Sequence, residues 1–240
     1  MPANELLRLI PRDDSAPIHL VARAQFRIGR SPMHSDWVAR FQPDTPENEI
    51  LSNELGRVHV VAEIIDGQPV LRDGNGTEAS INGSTFEGAP LTANVGTAVR
   101  HRAMLTLGEL YVVDVVPLFA EPEDFSIENH SELREGRPEV HGAIVFAPRR
   151  IEPTLCNAAW IFTRLDFALR PGGGPAWIAP RRGNPAAFLC RDGRFWLANT
   201  STEGDALQLD DQTVTVGEAV TLSAGETLRL GAREYAIEIE

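Results

Sequence analysis

Four short stretches in the first half of the chain place together the residue types that bind an oxyanion. They are Gly29-Arg30, Arg57-Val58-His59, Ser80-Ile81-Asn82-Gly83-Ser84 and Leu105-Thr106-Leu107-Gly108. Between them they offer guanidinium groups, an imidazole, an amide and hydroxyls. Recognition of a phosphorylated side chain needs a fixed guanidinium, neutral donors and exposed loops on a rigid scaffold. All 22 basic residues are arginine and none is lysine. The planar guanidinium fork matches phosphate oxygens better than an ammonium does, although a GC-rich genome produces the same bias.

Signatures of catalysis are missing. The chain has no G-x-S-x-G elbow, no phosphate loop, no H-E-x-x-H and no G-x-G-x-x-G after a strand. Its six histidines are scattered, with no i, i+4 pair. Asp73-Gly74-Asn75-Gly76-Thr77 is superficially like a calcium loop but lacks the spaced acids and the closing glutamate. The expectation is a protein that is not an enzyme and holds no metal or cofactor.

The elements that position these residues read as strands. Gly and Pro number 20 and 17 in 240 residues, which implies many turns and an all-β plan. Residues 5–10 and 18–22 read as a hairpin around Pro11 to Pro17. Residues 24–28 alternate and run into Gly29-Arg30. Residues 31–54 read as a long polar loop with a short strand at 36–41, and loops of that length are commonly functional. Residues 58–65 are a strong strand, and Asp66-Gly67 is a hairpin turn. Two last strands are expected near 95–99 and 105–116.

Residues 118–139 read as an acidic linker. The second half echoes the first: Val95-Gly96, Leu105-x-Leu107-Gly108 and Tyr111 are matched by Val216-Gly217, Leu228-x-Leu230-Gly231 and Tyr235. Asp192-Gly193 marks another hairpin. Trp160, Trp177, Trp196, Phe162, Phe188 and Phe195 read as core. The fold expected is two tandem antiparallel β-sandwiches, over 1–117 and 140–240.

A formal net charge of −12 argues against nucleic acid as a partner. The two cysteines, Cys156 and Cys190, read as buried free thiols. The N-terminal residues carry acids and no long apolar run, so a cytoplasmic protein without a membrane contact is expected.

The order and spacing of the four stretches resemble the forkhead-associated (FHA) family, whose members read phosphothreonine in a peptide. The resemblance covers most motif positions of 1–117 and implies an FHA/SMAD-like sandwich. It implies that Arg30 contacts phosphate, that Gly29 permits the tight backbone and that His59 braces the loop. Asn82 holds the peptide backbone, and Gly83 supplies the turn. Arg57 and Ser80 complete the expected phosphopeptide-binding set. The family's Ser-Arg-x-His is here Gly56-Arg57-Val58-His59, and its Ser-Thr-Asn-Gly is Ser80-Ile81-Asn82-Gly83. Two hydroxyl donors are therefore gone, which weakens affinity by about 2 kcal/mol; Ser80, Ser84 or Ser52 are candidates to compensate. The second half lacks the Gly-Arg pair and reads as a degenerate copy.

The function implied is a phosphothreonine-peptide-binding adaptor in Ser/Thr kinase signalling. Its partner would be a threonine-phosphorylated protein or its kinase. The alternative is a phosphate-independent scaffold that uses the same loops.

Overall fold

A computed structural model describes residues 6–13, 18–22, 25–41, 44–65, 68–118, 143–148, 176–178, 186–191, 193–199, 207–230 and 233–240. The described chain is β-strand apart from one helix. Its strands form four sheets, and its buried apolar side chains form two cores.

The first core lies between two five-stranded sheets. One sheet runs β4 (Trp37–Val38), β3 (Gln25–Gly29), β5 (Val60–Ile65), β6 (Gln68–Asp73) and β9 (Thr97–Ala98). The other runs β12 (Ala143–Pro148), β11 (Tyr111–Leu118), β10 (Ala103–Leu107), β7 (Ser84–Phe86) and β8 (Ala89–Pro90). Alternation decides which side chains enter: Phe26 and Ile28 are buried while Arg27 is exposed, as a two-residue period requires. Trp37, Phe41 and Tyr111 meet edge-on, and Phe26 stacks on Phe146 at 5.8 Å between centroids. Ile65 pairs with Gln68, which leaves Asp66-Gly67 as the two-residue connection expected.

The second core lies between a four-stranded and a six-stranded sheet. The four are β13 (Ala176–Ile178), β14 (Ala186–Arg191), β15 (Arg194–Asn199) and β18 (Ala219–Thr221). The six run β17 (Gln212–Val214), β16 (Leu207–Leu209), β19 (Thr227–Leu230), β20 (Arg233–Ile239), β1 (Leu6–Pro11) and β2 (Ile18–Val21). β19 and β20 form an antiparallel pair as β10 and β11 do, but in another register: Tyr111 lies opposite Leu107, whereas Tyr235 lies opposite Leu228. Tyr111 and Tyr235 are both buried. Phe188, Phe195 and Cys190 are buried in this core, while Trp196 is half-buried. Cys156, Trp160, Phe162 and the linker residues 119–139 lie outside the described residues.

Strand pairing crosses the boundaries expected at 117 and 140. The β1–β2 hairpin pairs with β20 over Leu7↔Ile239 to Pro11↔Tyr235, and Leu7, Leu9 and Leu20 enter the second core. Conversely β12 pairs with β11 over Val113↔Pro148 to Leu118↔Ala143, and Ile144 and Phe146 enter the first core. In each sandwich the strand beside the last strand comes from across the boundary. Arg8 fixes the hairpin further with a bidentate pair to Glu240, at 2.7 and 3.1 Å, and Arg12 pairs with Glu234 at 2.9 Å.

Two elements differ from the sequence reading. The strand expected at 105–116 is two strands, β10 and β11, because Gly108 turns the chain at φ +60°. The loop expected at 31–54 contains a helix, α1 (Pro46–Asn53). Thr45 caps it by accepting from the Asn48 N–H, Pro46 opens it, and Glu47 and Glu49 favour its N-terminal dipole.

Two predictions follow from the hairpin. Burying three leucines contributes roughly 5–9 kcal/mol gross, comparable with the whole stability of a domain. Fragment 140–240 alone is therefore expected to lack a cooperative melting transition and to gain one when residues 1–24 are supplied. An identical transition without them refutes the docking role. The second concerns His19, buried on β2 opposite Arg8. Burial first, then the Arg8 charge, lowers its pKa to about 4. Its neutral form is favoured by folding, so this contribution is complete above pH 6.5. It is lost as pH falls towards 4, by at most about 3 kcal/mol. Stability against pH should be shallower over that window in His19→Gln; an unchanged slope counts against it.

Candidate functional site

The candidate residues converge at one loop end of the first sandwich. Gly29 ends β3 where the 53–59 segment presses onto it. A Cβ at Gly29 would lie 2.3 Å from the Arg57 carbonyl oxygen and 2.7 Å from Ser35 Oγ, so only glycine allows that approach. The Arg30 N–H donates to Gly56 O at 2.9 Å, and Ser35 Oγ donates to Arg57 O at 2.6 Å. The loop bearing Arg30 is thus tied to the segment bearing Arg57.

His59 joins that segment to the Asn82 turn. It is fully buried. Its Nδ1 accepts from the Gly56 N–H at 2.7 Å, which places the ring proton on Nε2. The Nε2–H donates to Gly83 O at 2.8 Å. The Gly108 N–H, 3.0 Å from Nε2, donates to the same carbonyl at 2.9 Å. Burial lowers the His59 pKa against the opposing effects of Gly83 and Asp73, so the ring is a neutral brace. The positive φ of Gly83, +65°, makes glycine the fitting residue in that turn.

A buried Asp73 holds the start of the same turn. It accepts from the Ser80 N–H and hydroxyl, both at 2.8 Å, and from Ser84 Oγ at 2.7 Å. The Ser80 proton therefore points inward to a carboxylate. Ser52 is also committed: it is buried, donates to Asn48 O at 2.7 Å and accepts from the Phe41 N–H at 2.9 Å. Ser52, Ser80 and Ser84 each direct the hydroxyl proton inward, to Asn48 O or to Asp73.

Arg30 is half-buried. Its Nη1 donates to Asn53 Oδ1 at 3.2 Å, and its buried Nε has no partner among the described residues. Asn82 is exposed and donates through Nδ2 to Glu54 O at 2.7 Å. Consecutive residues at the end of α1 thus meet both Arg30 and Asn82. Arg57 is exposed, with no side-chain bond among the described residues. Ile81 is 95% exposed. A Cβ at Gly56 would sit 2.9 Å from Val58 O, so a serine there requires the backbone to shift.

The arrangement presents a guanidinium beside a carboxamide on braced loops, an array that can bind an anion. The sequence reading missed α1 and Asn53, for which Thr45-Pro46-Glu47 was the available signal. In the second half, Arg170, Pro171, Arg181, Arg182 and Asn184 lie outside the described residues. Among the described residues no group of His, Cys, Asp and Glu could hold a metal ion, and no helix is long and apolar enough to cross a membrane.

Removing the His59 ring leaves the Gly56 N–H without its partner, while the Gly83 carbonyl keeps the Gly108 N–H. His59→Ala should lower stability by about 1–3 kcal/mol, the cost of one buried unsatisfied group. An unchanged melting temperature would rule out the bracing role.

No family model and no curated protein matches the chain. Solved structures similar to it include an FHA domain from a Chlamydia trachomatis protein. That match is 19% identical, covers 44% of this chain and 90% of that one, and has a TM-score of 0.27. The FHA domain of an Arabidopsis thaliana hypothetical protein is 16% identical over 49% of this chain and 88% of that one, with a TM-score of 0.32. A structure described as an analysis of phosphothreonine-dependent FHA domain interactions is 20% identical over 43% and 88%, with a TM-score of 0.27. In this chain Gly29-Arg30, His59 and Asn82-Gly83 are tied together at one loop end of an antiparallel β-sandwich.

Proposed function

We propose that the first sandwich docks a peptide through a phosphothreonine held by Arg30. The observation that carries this reading is the Arg30 guanidinium itself. It is anchored by its backbone, and among the described residues its only bonded side-chain partner is the neutral Asn53 amide and no carboxylate forms an ion pair with it. A phosphate dianion supplies that compensation with charge-assisted bonds. Asn82 retains its Oδ1 as an acceptor for a peptide N–H, because Nδ2 is held by Glu54 O. Arg57, exposed on the adjoining segment, adds a second positive charge. Ser80 serves as a loop brace. The natural partner on this reading is a threonine-phosphorylated protein, including a Ser/Thr kinase of that kind. The two sandwiches act as interleaved units: 25–148 for docking, and 6–22 with 176–240 as a degenerate support.

A second reading is docking without phosphate, favoured by the exposed Ile81 and by the crowding at Gly56. One experiment separates them. A degenerate phosphothreonine peptide library and its unphosphorylated copy are presented to the full chain, and the best binder is titrated. Phosphorylated peptides alone should bind, and Arg30→Ala should abolish binding with the melting temperature unchanged. Ile81→Thr, at an exposed position, should tighten binding about fivefold by restoring one neutral donor of about 1 kcal/mol. Equal binding of both libraries favours the second reading.

A further inference from the structure

We propose that Asn53, at the end of α1, is an additional phosphate ligand that takes over from the hydroxyls lost at Gly56 and Ile81. This inference rests on the phosphothreonine reading of the Arg30 site and names a residue that the motif pattern does not contain.

The geometry begins with a constraint on orientation. A guanidinium carries only donors, so the Asn53 atom 3.2 Å from Arg30 Nη1 is its carbonyl oxygen. The Asn53 Nδ2 is then on the other branch of the amide, with two N–H donors and no protein partner among the described residues. Asn53 is exposed, so a ligand arriving from solvent can reach these donors. An oxyanion resting on Arg30 meets both groups together.

The helix holds this amide in place. Ser52 bonds to the Phe41 N–H and to Asn48 O, Leu55 is 2% exposed, and the last turn is closed by the Glu54 N–H on Leu51 O and the Leu55 N–H on Ser52 O. Glu54 O then accepts from Asn82 at 2.7 Å. Asn53 and Glu54 therefore form a strut between the phosphate-binding guanidinium and the amide offered to the peptide backbone. An asparagine suits the position better than an aspartate would. A carboxylate there would pair with Arg30, neutralise it and repel the phosphate, whereas the amide leaves the charge available.

The opposite role for the same contact is a tethered competitor, in which Asn53 blocks Arg30 until a ligand displaces it. The two roles differ in sign. Peptides selected from the phosphothreonine library are titrated against the full-length wild type, Asn53→Ala and Asn53→Asp, with melting temperatures measured alongside. As a ligand, Asn53→Ala weakens binding about ten- to a hundredfold, the worth of one hydrogen bond to a charged group. Asn53→Asp weakens it further at pH 7. The Asn53 side-chain amide resonances of the wild type shift on saturation with the phosphorylated peptide and not with its unphosphorylated copy. Equal or tighter binding by Asn53→Ala at unchanged melting temperature overturns the inference while leaving the phosphothreonine reading intact. Phosphate-independent binding by the wild type, or no binding at all, overturns both.

Discussion

The neutral, buried imidazole of His59 is the interaction on which the loop end of the first sandwich depends. It joins a backbone donor at Gly56 to a backbone acceptor at Gly83, residues that belong to different inter-strand segments. Few side chains place an acceptor and a donor on opposite sides of one rigid group. Burial keeps the ring neutral, because desolvation disfavours the imidazolium. The distance between the Arg57 segment and the Asn82 turn is thereby set. The backbone of the first then fits against Gly29, where no Cβ can be accommodated.

Around that brace, hydroxyl groups are spent on structure. Ser80 and Ser84 donate to Asp73, and Ser52 donates into α1. Satisfying the buried carboxylate outranks presenting donors to solvent, since an unpaired buried charge costs more than a neutral hydrogen bond contributes. The outward-facing chemistry falls to Arg30, Arg57, Asn53 and Asn82. These are two cations and two amides in a chain of net charge −12. Such a surface gives an anion little long-range attraction, so the proposed phosphopeptide would have to be held by short-range, geometrically fixed contacts.

Much of this was legible in the residues. Alternation located most strands of the first sandwich, the pairings Ile65↔Gln68 and Arg191↔Arg194 flank the positions read as Asp66-Gly67 and Asp192-Gly193 turns, and Gly29, Arg30, His59 and Asn82 do meet at one end. The helix was not legible by hydrophobic periodicity, because the buried residues of α1 are polar, Asn48 and Ser52. Its signal lay in the cap, Thr45, and in Pro46. The destination of the β1–β2 hairpin was not legible either. The pattern of Leu7 and Leu9 says that one face is buried, yet it carries no information about which of two similar cores receives it. Only pairing with β20 decides that, and the sequence separation between Arg8 and Glu240 is 232 residues.

That pairing changes how the two halves depend on each other. Leu6 and Glu240 exchange backbone hydrogen bonds at 2.9 Å in both directions, so the first and last described strands close the chain into a loop. The first sandwich lies within that loop, and its own edge strand β12 comes from beyond the acidic segment. Each core thus contains a strand whose covalent neighbours lead into the other core. Opening either one exposes a strand edge in its sheet and frees apolar side chains such as Leu7 and Leu9, or Ile144 and Phe146. Mutual completion of this kind makes the stability of each described core depend on a strand delivered from beside the other.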